Sequence, residues 1–254
     1  MTDTLVREVL GYPIMAVTPA EAVDLCEDAI RSQRPLQIGV LNAAKIVNAA
    51  KDPALRDALL SCDVIFADGQ AVVWASRILG QPLPGRVAGI DLFEDLLALA
   101  SRRRYSVYLL GATREVLDRV VDVVAEQYPD AVVAGHRDGY FSPAEAADVA
   151  HDIGASAPDM LFVAMTSPKK ETFIAANQDA MHVPLTHGVG GSFDILAGKT
   201  ERAPELWQRL GMEWAFRVVQ EPRRMFMRYF RTNGAFIVMV FREYFRSRTQ
   251  SRLN

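Results

Sequence analysis

The stretch Ile65-Phe66-Ala67-Asp68-Gly69-Gln70 (IFADGQ, 65–70) sets an aspartate at the end of an apolar run and directly before a glycine. Two readings compete for Asp68. It caps a helix carrying Val72, Val73 and Trp74, or it stands at the carboxyl end of a buried strand, where open α/β sheets form their ligand crevice. The choice turns on whether the flanking sequence builds such a sheet.

Outward from this stretch, apolar runs alternate with helical patterns. LQIGVL (36–41) reads as a strand followed by a helix from about Ala43 to Leu60. Further strands are VIF (64–66), SVYLL (106–110), AVVAG (131–135), MLFVAM (160–165) and VPLTHGVG (183–190), and helices cover Thr113 to Tyr128 and Pro143 to Ala155. Strands separated by crossover helices predict a parallel sheet covered on both faces. The expected fold is therefore α/β, a Rossmann-like, mostly parallel sheet with helices on both faces. The strand pattern stops near residue 195, and helix and turn follow. An α/β domain over 1–200 and a helical C-terminal appendage over 201–254 are expected.

Half of the 254 residues are hydrophobic, enough for a full core. Cys26 and Cys62 have no metal spacing and are too few for a disulfide framework, which fits a reducing cytoplasm. The N-terminus, MTDTLVREVLGYPIM, lacks the basic start and apolar core of a signal peptide. The net charge is −3, unevenly spread: Arg223 to Asn254 holds eight arginines and one acid, Glu243, for +7, while the rest carries 20 basic and 30 acidic side chains, for −10. Such asymmetry points the tail at something anionic.

Polar residues gather where strands end. Asn42 follows the first strand, Asp68 the second, Thr166-Ser167-Pro168-Lys169-Lys170-Glu171 the fifth, and GVGGSFD (188–194) the last. Each has a structural alternative: Asn42 caps a helix, TSPKKE forms a capping box, and the glycines make a turn. Four such placements together favour a ligand crevice. Gly188, Gly190 and Gly191 would let backbone N–H groups approach an anion. The pattern is not G-x-G-x-x-G, and SVYLLGA continues as Thr113-Arg114-Glu115 without a nicotinamide fingerprint. No D-x-D pair occurs, and His136, His151, His182 and His187 lack metal-ligand spacing, so no catalytic metal and no cofactor is expected. Phosphate charge would fall to lysine and arginine. Lys169, Lys170, Arg86 and Arg202 lie near the motifs, with surface solvation the better reading for Lys169.

The segment WAFRVVQEPRRMFMRYFRTNGAFIVMVFREYFRSR interleaves aromatics with arginines and breaks its helical spacing around Asn233-Gly234. Its longest apolar run is far short of the ~20 residues a span requires. Two basic amphipathic helices lying at an anionic membrane surface fit the pattern. A helix packed on the domain's own core is the alternative. Nucleic acid is disfavoured because the acidic body would repel it.

Several of these stretches resemble the WecG/TagA/CpsF family, the bacterial glycosyltransferases of family 26. They are LNAAKIV with Asn42, FADGQ (66–70), GRVAGIDL (85–92), GYF (139–141), SPKKE (167–171), GVGGSFDILAGKTERAP (188–204) and LGMEWAFRVVQEPRRMFMRYF (210–230), in family order over nearly the whole chain. The resemblance implies an inverting, metal-independent hexosyltransferase that moves a sugar from UDP to a polyprenyl-diphosphate-linked saccharide in cell-surface polysaccharide synthesis. It implies a peripheral enzyme at the cytoplasmic face of the inner membrane. It places the catalytic base at Asp68 and the nucleotide-sugar site at Asn42, Arg86, Lys170, Glu171, Gly188, Gly190, Gly191 and Asp194. It maps appendage arginines near the acceptor diphosphate onto Arg217 and Arg224, and Arg202 and Arg228 are expected to join them. Two departures stand out: Val40 replaces a threonine two residues before Asn42, and in G-x-P-x-Q-E Thr166 and Lys170 replace the glycine and glutamine. These allow a donor other than N-acetylmannosamine, such as glucose or a uronic acid. A general base at a strand end and charge stabilisation by glycine amides and arginines suit that chemistry. A nucleotide-dependent oxidoreductase and a non-catalytic membrane-recruitment protein are the competing classes, and homo-oligomerisation is compatible with all three.

Overall fold

The computed structural model describes residues 5–209, 211–220 and 222–250, without the side chains of 209, 217, 223–226, 228, 229 and 250. A short antiparallel hairpin opens the chain, β1 (Val6–Val9) and β2 (Tyr12–Met15), turning at Leu10 and Gly11, both at positive φ. Helix α1 (Pro19–Arg31) leads into β3 (Leu36–Leu41), α2 (Ala43–Ala49), α3 (Pro53–Leu60), β4 (Val64–Ala67) and α4 (Gln70–Ile78). Then come α5 (Gly89–Arg103), β5 (Ser106–Gly111), α6 (Arg114–Gln127), β6 (Val132–Arg137), a 3-10 turn (Pro143–Glu145) and α7 (Ala146–Ala155). The sheet is completed by β7 (Met160–Ala164), α8 (Lys169–Met181) and β8 (Leu185–Gly188), and α9 (Ser192–Leu196), α10 (Glu205–Arg209), α11 (Glu213–Gln220) and α12 (Pro222–Gln250) follow.

Strands β3 to β8 form one parallel sheet in the order β4-β3-β8-β7-β5-β6. Every residue of β3, β4, β7 and β8 is buried, as strands covered on both faces must be. Only β6, at the sheet's edge, keeps exposed positions. The expected α/β fold is thus the observed one. The helix expected over Ala43 to Leu60 is two helices. Asp52 has extended backbone and caps α3 through the Leu55 N–H, and Pro53 begins α3 where its missing N–H costs nothing.

One face of the sheet packs Ile38, Val40, Phe66, Leu109 and Phe162 against α1, α5, α6 and Phe193 of α9. The other packs Leu41 and Ile65 against α2, α3 and α4, and Leu161 and Val163 against α7 and α8. The chain therefore leaves β3 toward one face and its neighbour β8 toward the opposite face. Connections that diverge from adjacent parallel strands open a crevice at the carboxyl edge, here between β3 and β8.

The C-terminal segment differs from expectation. Instead of two helices parted at Asn233-Gly234, α12 runs unbroken through both residues. It is also no free tail. Phe236 (4% exposed) and Val240 join Leu41, Ile46, Val72 and Val73 in one core cluster. At 3.6 residues per turn, Met227, Phe230, Phe241 and Phe245 fall on the opposite side and Ile237 on the flank, and all are exposed. No described helix is long and apolar enough to cross a membrane.

Candidate active site

The register of the sheet brings the first two polar residues together. Leu41 pairs with Ala67, so the next residues, Asn42 and Asp68, emerge side by side. Asp68 does not cap the helix that follows it: α4 starts from Gly69 without a side-chain cap. Its carboxylate reaches another helix instead. Val87 N–H donates to the Ala67 carbonyl (2.8 Å) and draws the start of α5 to the end of β4. There Gly89 N–H donates to Asp68 Oδ1 at 2.8 Å, while Asn42 Nδ2 donates to Oδ2 at 3.1 Å. Each carboxylate oxygen has its own donor, and the positive end of a 15-residue helix faces the group. The capping reading is therefore corrected: Asp68 stands at a strand end and meets the N-terminus of α5, not that of the helix carrying Val72, Val73 and Trp74. Asn42 is likewise double, since its Oδ1 accepts the Lys45 N–H and caps α2.

Beneath this pair lies a buried charge cluster. Glu171 Oε1 is 3.1 Å from Lys45 Nζ and 3.4 Å from Lys170 Nζ, and Lys45 also donates to the Val40 carbonyl at 2.8 Å. Burial alone would raise the Glu171 pKa, but the two lysines outweigh it and hold the carboxyl at about 2. The expected capping box at TSPKKE does not form. Pro168 occupies the N-cap of α8, no side chain caps that end, and Glu171 turns inward to the lysines.

Gly188 explains how Lys170 fits. A Cβ there would lie 2.7 Å from Lys170 Cε, so only glycine lets the lysine stem pass under the end of β8. Gly190, at φ +57°, continues the turn above the Lys170 ammonium. The amides of Val189 and Gly190 donate to the Val163 carbonyl, and that of Ser192 to Val189, so these three are engaged within the turn. Gly191 is exposed, and Asp194 in α9 pairs with Lys199 at 3.7 Å.

The arginines lie further out. Arg86 pairs with Glu213 of α11 at 2.8 Å, and Arg202 with Asp91 and Glu94 of α5. Arg217 belongs to α11 and Arg224 and Arg228 to α12, but their side chains lie outside the described residues. Lys169 is exposed, as expected, donating to the Gly139 carbonyl with its ammonium 4.5 Å from the Phe141 ring. Val40 packs in the core, where a Cβ added at Gly89 would meet it at 3.6 Å. Among the described residues no group of histidine, cysteine, aspartate and glutamate is placed to hold a metal ion.

Lys45, Gly89 and His187 escaped the sequence reading. Lys45 follows Asn42 by three residues, a spacing that puts both on one helix face. His187 is a polar residue inside an apolar strand. Burial lowers its pKa to about 4, so it is neutral at neutral pH.

Burial lowers Lys170 to about 8, Lys45 adds to that effect, and Glu171 and Asp68 oppose it. The cost of burying this ammonium is fully present below pH 8. From there to the ordinary lysine value of 10.5 the unfolded chain binds more protons than the folded one, so stability rises with pH. Urea denaturation from pH 7 to 10 should therefore show wild type gaining stability relative to Lys170→Gln. A pH-independent difference would refute the assignment.

The family model described as Glycosyl transferase WecG/TagA/CpsF family matches residues 7–250. A relative from Bacillus spizizenii (strain ATCC 23059 / NRRL B-14472 / W23), named N-acetylglucosaminyldiphosphoundecaprenol N-acetyl-beta-D-mannosaminyltransferase, is 37% identical over 176 residues, covering 69% of this chain and 68% of its own. A relative of the same name from Bacillus subtilis (strain 168) is 36% identical over 187 residues, covering 74% and 72%. With a match over nearly its whole length and relatives above one-third identity, the chain belongs to the WecG/TagA/CpsF family of glycosyl transferases.

Proposed function

We propose that the protein is an inverting hexosyltransferase that moves a sugar from a UDP-sugar to a polyprenyl-diphosphate-linked saccharide in bacterial cell-surface polysaccharide synthesis. The observation that carries this is the Asp68 carboxylate, gripped by Asn42 and Gly89 at the mouth of the crevice between β3 and β8. Both relatives are named for transfer of N-acetylmannosamine to a diphosphoundecaprenol-linked N-acetylglucosamine, which supports the donor and acceptor classes. In the reaction an acceptor hydroxyl attacks the anomeric carbon as its proton passes to Asp68. The bond from that carbon to the UDP oxygen breaks on the opposite face, inverting the centre. Charge growing on the diphosphate requires cations placed beforehand. Lys170 and Arg86 fill that role in this reading, with Asn42, Glu171, Gly188, Gly190, Gly191 and Asp194 shaping the donor site.

The acceptor diphosphate is assigned to Arg202, Arg217, Arg224 and Arg228 within residues 201–254. Arg202 would exchange Asp91 and Glu94 for the ligand. Metal independence is part of the proposal, supported by cations gathered at the site and by the lack of a carboxylate cluster among the described residues. The enzyme works peripherally at the cytoplasmic face of the inner membrane, its outer α12 stripe on an anionic leaflet, as a monomer or a homo-oligomer.

Asp68→Asn keeps the shape and, through its amide oxygen, the Gly89 N–H bond; it sets its NH2 against the Asn42 donor and removes the proton acceptor. Turnover should fall roughly 10²–10⁴-fold with UDP-sugar affinity nearly unchanged; near-normal turnover would reduce Asp68 to a cap. Activity should survive EDTA, and complete loss restored by Mg²⁺ or Mn²⁺ would overturn metal independence. On anionic vesicles, attraction is worth about 1 kcal/mol per basic residue near the surface and is screened by salt, whereas apolar insertion is not. Binding should weaken with salt without vanishing. A Phe241→Ser/Phe245→Ser variant, altering side chains 54% and 63% exposed, should lose the salt-resistant part while keeping its melting temperature. Wild-type binding by that variant would remove α12 from the contact.

A further inference from the structure

We infer that His187 is a positioning residue for the reaction, acting on Asp68 through the Gly89 peptide. This rests on Asp68 being the general base. His187 lies in β8 with no exposed surface, and its Nε2 is 3.1 Å from the Gly89 carbonyl. A carbonyl only accepts, so Nε2 carries the proton and Nδ1 is the bare nitrogen. The same glycine's N–H donates to Asp68 Oδ1 at 2.8 Å. One residue therefore links the imidazole to the carboxylate through its two backbone groups.

Three features argue that this link is functional. First, Gly89 has no side chain to anchor it, and its backbone is the least restrained of any residue type. A Cβ would meet Val40 at 3.6 Å and Asp68 at 3.7 Å, ordinary contacts, so crowding does not hold this peptide in place. The helix and the Val87–Ala67 bond bring Gly89 to the strand end, and Nε2–H adds the side-chain donor that sets its carbonyl there. Second, among the described residues His187 Nδ1 has no hydrogen-bond partner. An apolar residue in that strand would avoid this buried orphan, so the value of the imidazole lies in what Nε2 does. Third, Phe162 packs edge-on against the ring, with centroids 6.5 Å apart, which fixes its plane. Asn42 sets Oδ2 of the carboxylate, and His187, through Gly89, sets Oδ1.

The charged groups facing this assembly are Asp68 after β4, Lys45 of α2, and Lys170 with Glu171 of α8. None of them is altered by substituting His187. The test uses full-length enzyme and two variants. His187→Leu removes the donor and the orphan together; His187→Gln offers a side-chain N–H that can again meet the Gly89 carbonyl. With His187→Leu, kcat should fall about tenfold, the scale of one misaligned hydrogen bond, with donor KM within about twofold and the melting temperature kept. The acid limb of kcat should move to higher pH, because a carboxylate that loses an N–H donor holds its proton more tightly. His187→Gln should recover most of both. In an Asp68→Asn background, His187→Leu should cost little more. Unchanged kcat and acid limb in a folded His187→Leu enzyme, or the same loss in the Asp68→Asn background, would overturn the inference. Failure of the underlying reading shows separately, as near-normal turnover in Asp68→Asn alone. If His187→Leu does not fold, His187→Met, which also lacks the donor, takes its place: a shifted acid limb with the melting temperature kept supports the link, and a melting-temperature loss with the profile unchanged overturns it.

Discussion

The two-donor grip on Asp68 is the contact on which the rest of the site depends. Its partners come from α2 and α5, helices on opposite faces of the sheet, and the aspartate itself ends β4. A single carboxylate therefore pins both helical layers to the sheet edge at the point where they diverge. Meeting α5 with a residue from β4 satisfies a helix N-terminus and at the same time fixes the position of the carboxylate proposed as the proton acceptor. The structural use of Asp68 and its proposed chemical use are one arrangement.

The cluster of Lys45, Glu171 and Lys170 follows a different logic. Taking three charges out of water is costly, and a buried ion network contributes less to stability than its Coulomb attraction alone would give. Its value here is placement. Glu171 holds two ammonium groups beneath the crevice floor, and Gly188 gives up its side chain so that one of them can reach that position. These cations are set before any ligand arrives, as the proposed stabilisation of developing charge requires.

Much of the fold was legible because parallel strands buried on both faces are written as short apolar runs, and β3, β4, β5 and β7 matched those runs to within a residue or two. The hairpin β1–β2 was not, since four-residue strands with Pro13 inside one of them carry little pattern. Asp52-Pro53 did carry a break signal that the apolar periodicity of 43–60 obscured. Asn233-Gly234 carried one that tertiary packing overrode: a mid-helix glycine costs about 1 kcal/mol, less than the burial of Phe236 and Val240 returns. At the site, Asn42 and Asp68 were readable because a polar residue after an apolar run is conspicuous. Lys45 and His187 were hidden, as their partners sit 126 and 98 residues away, and only the three-dimensional sheet edge joins them.

Helix α12 has a geometric consequence for how the molecule would sit. It is 29 residues long, a stiff rod of about 44 Å, with one apolar stripe locked into the core and another turned outward. It packs against α2 and α4, the helices that begin beside Asn42 and Asp68. Any flat partner that receives the outer stripe therefore fixes the tilt and height of the crevice mouth as well as the attachment of the molecule. Attachment and aim become a single degree of freedom, and a bend in the rod would disturb both at once.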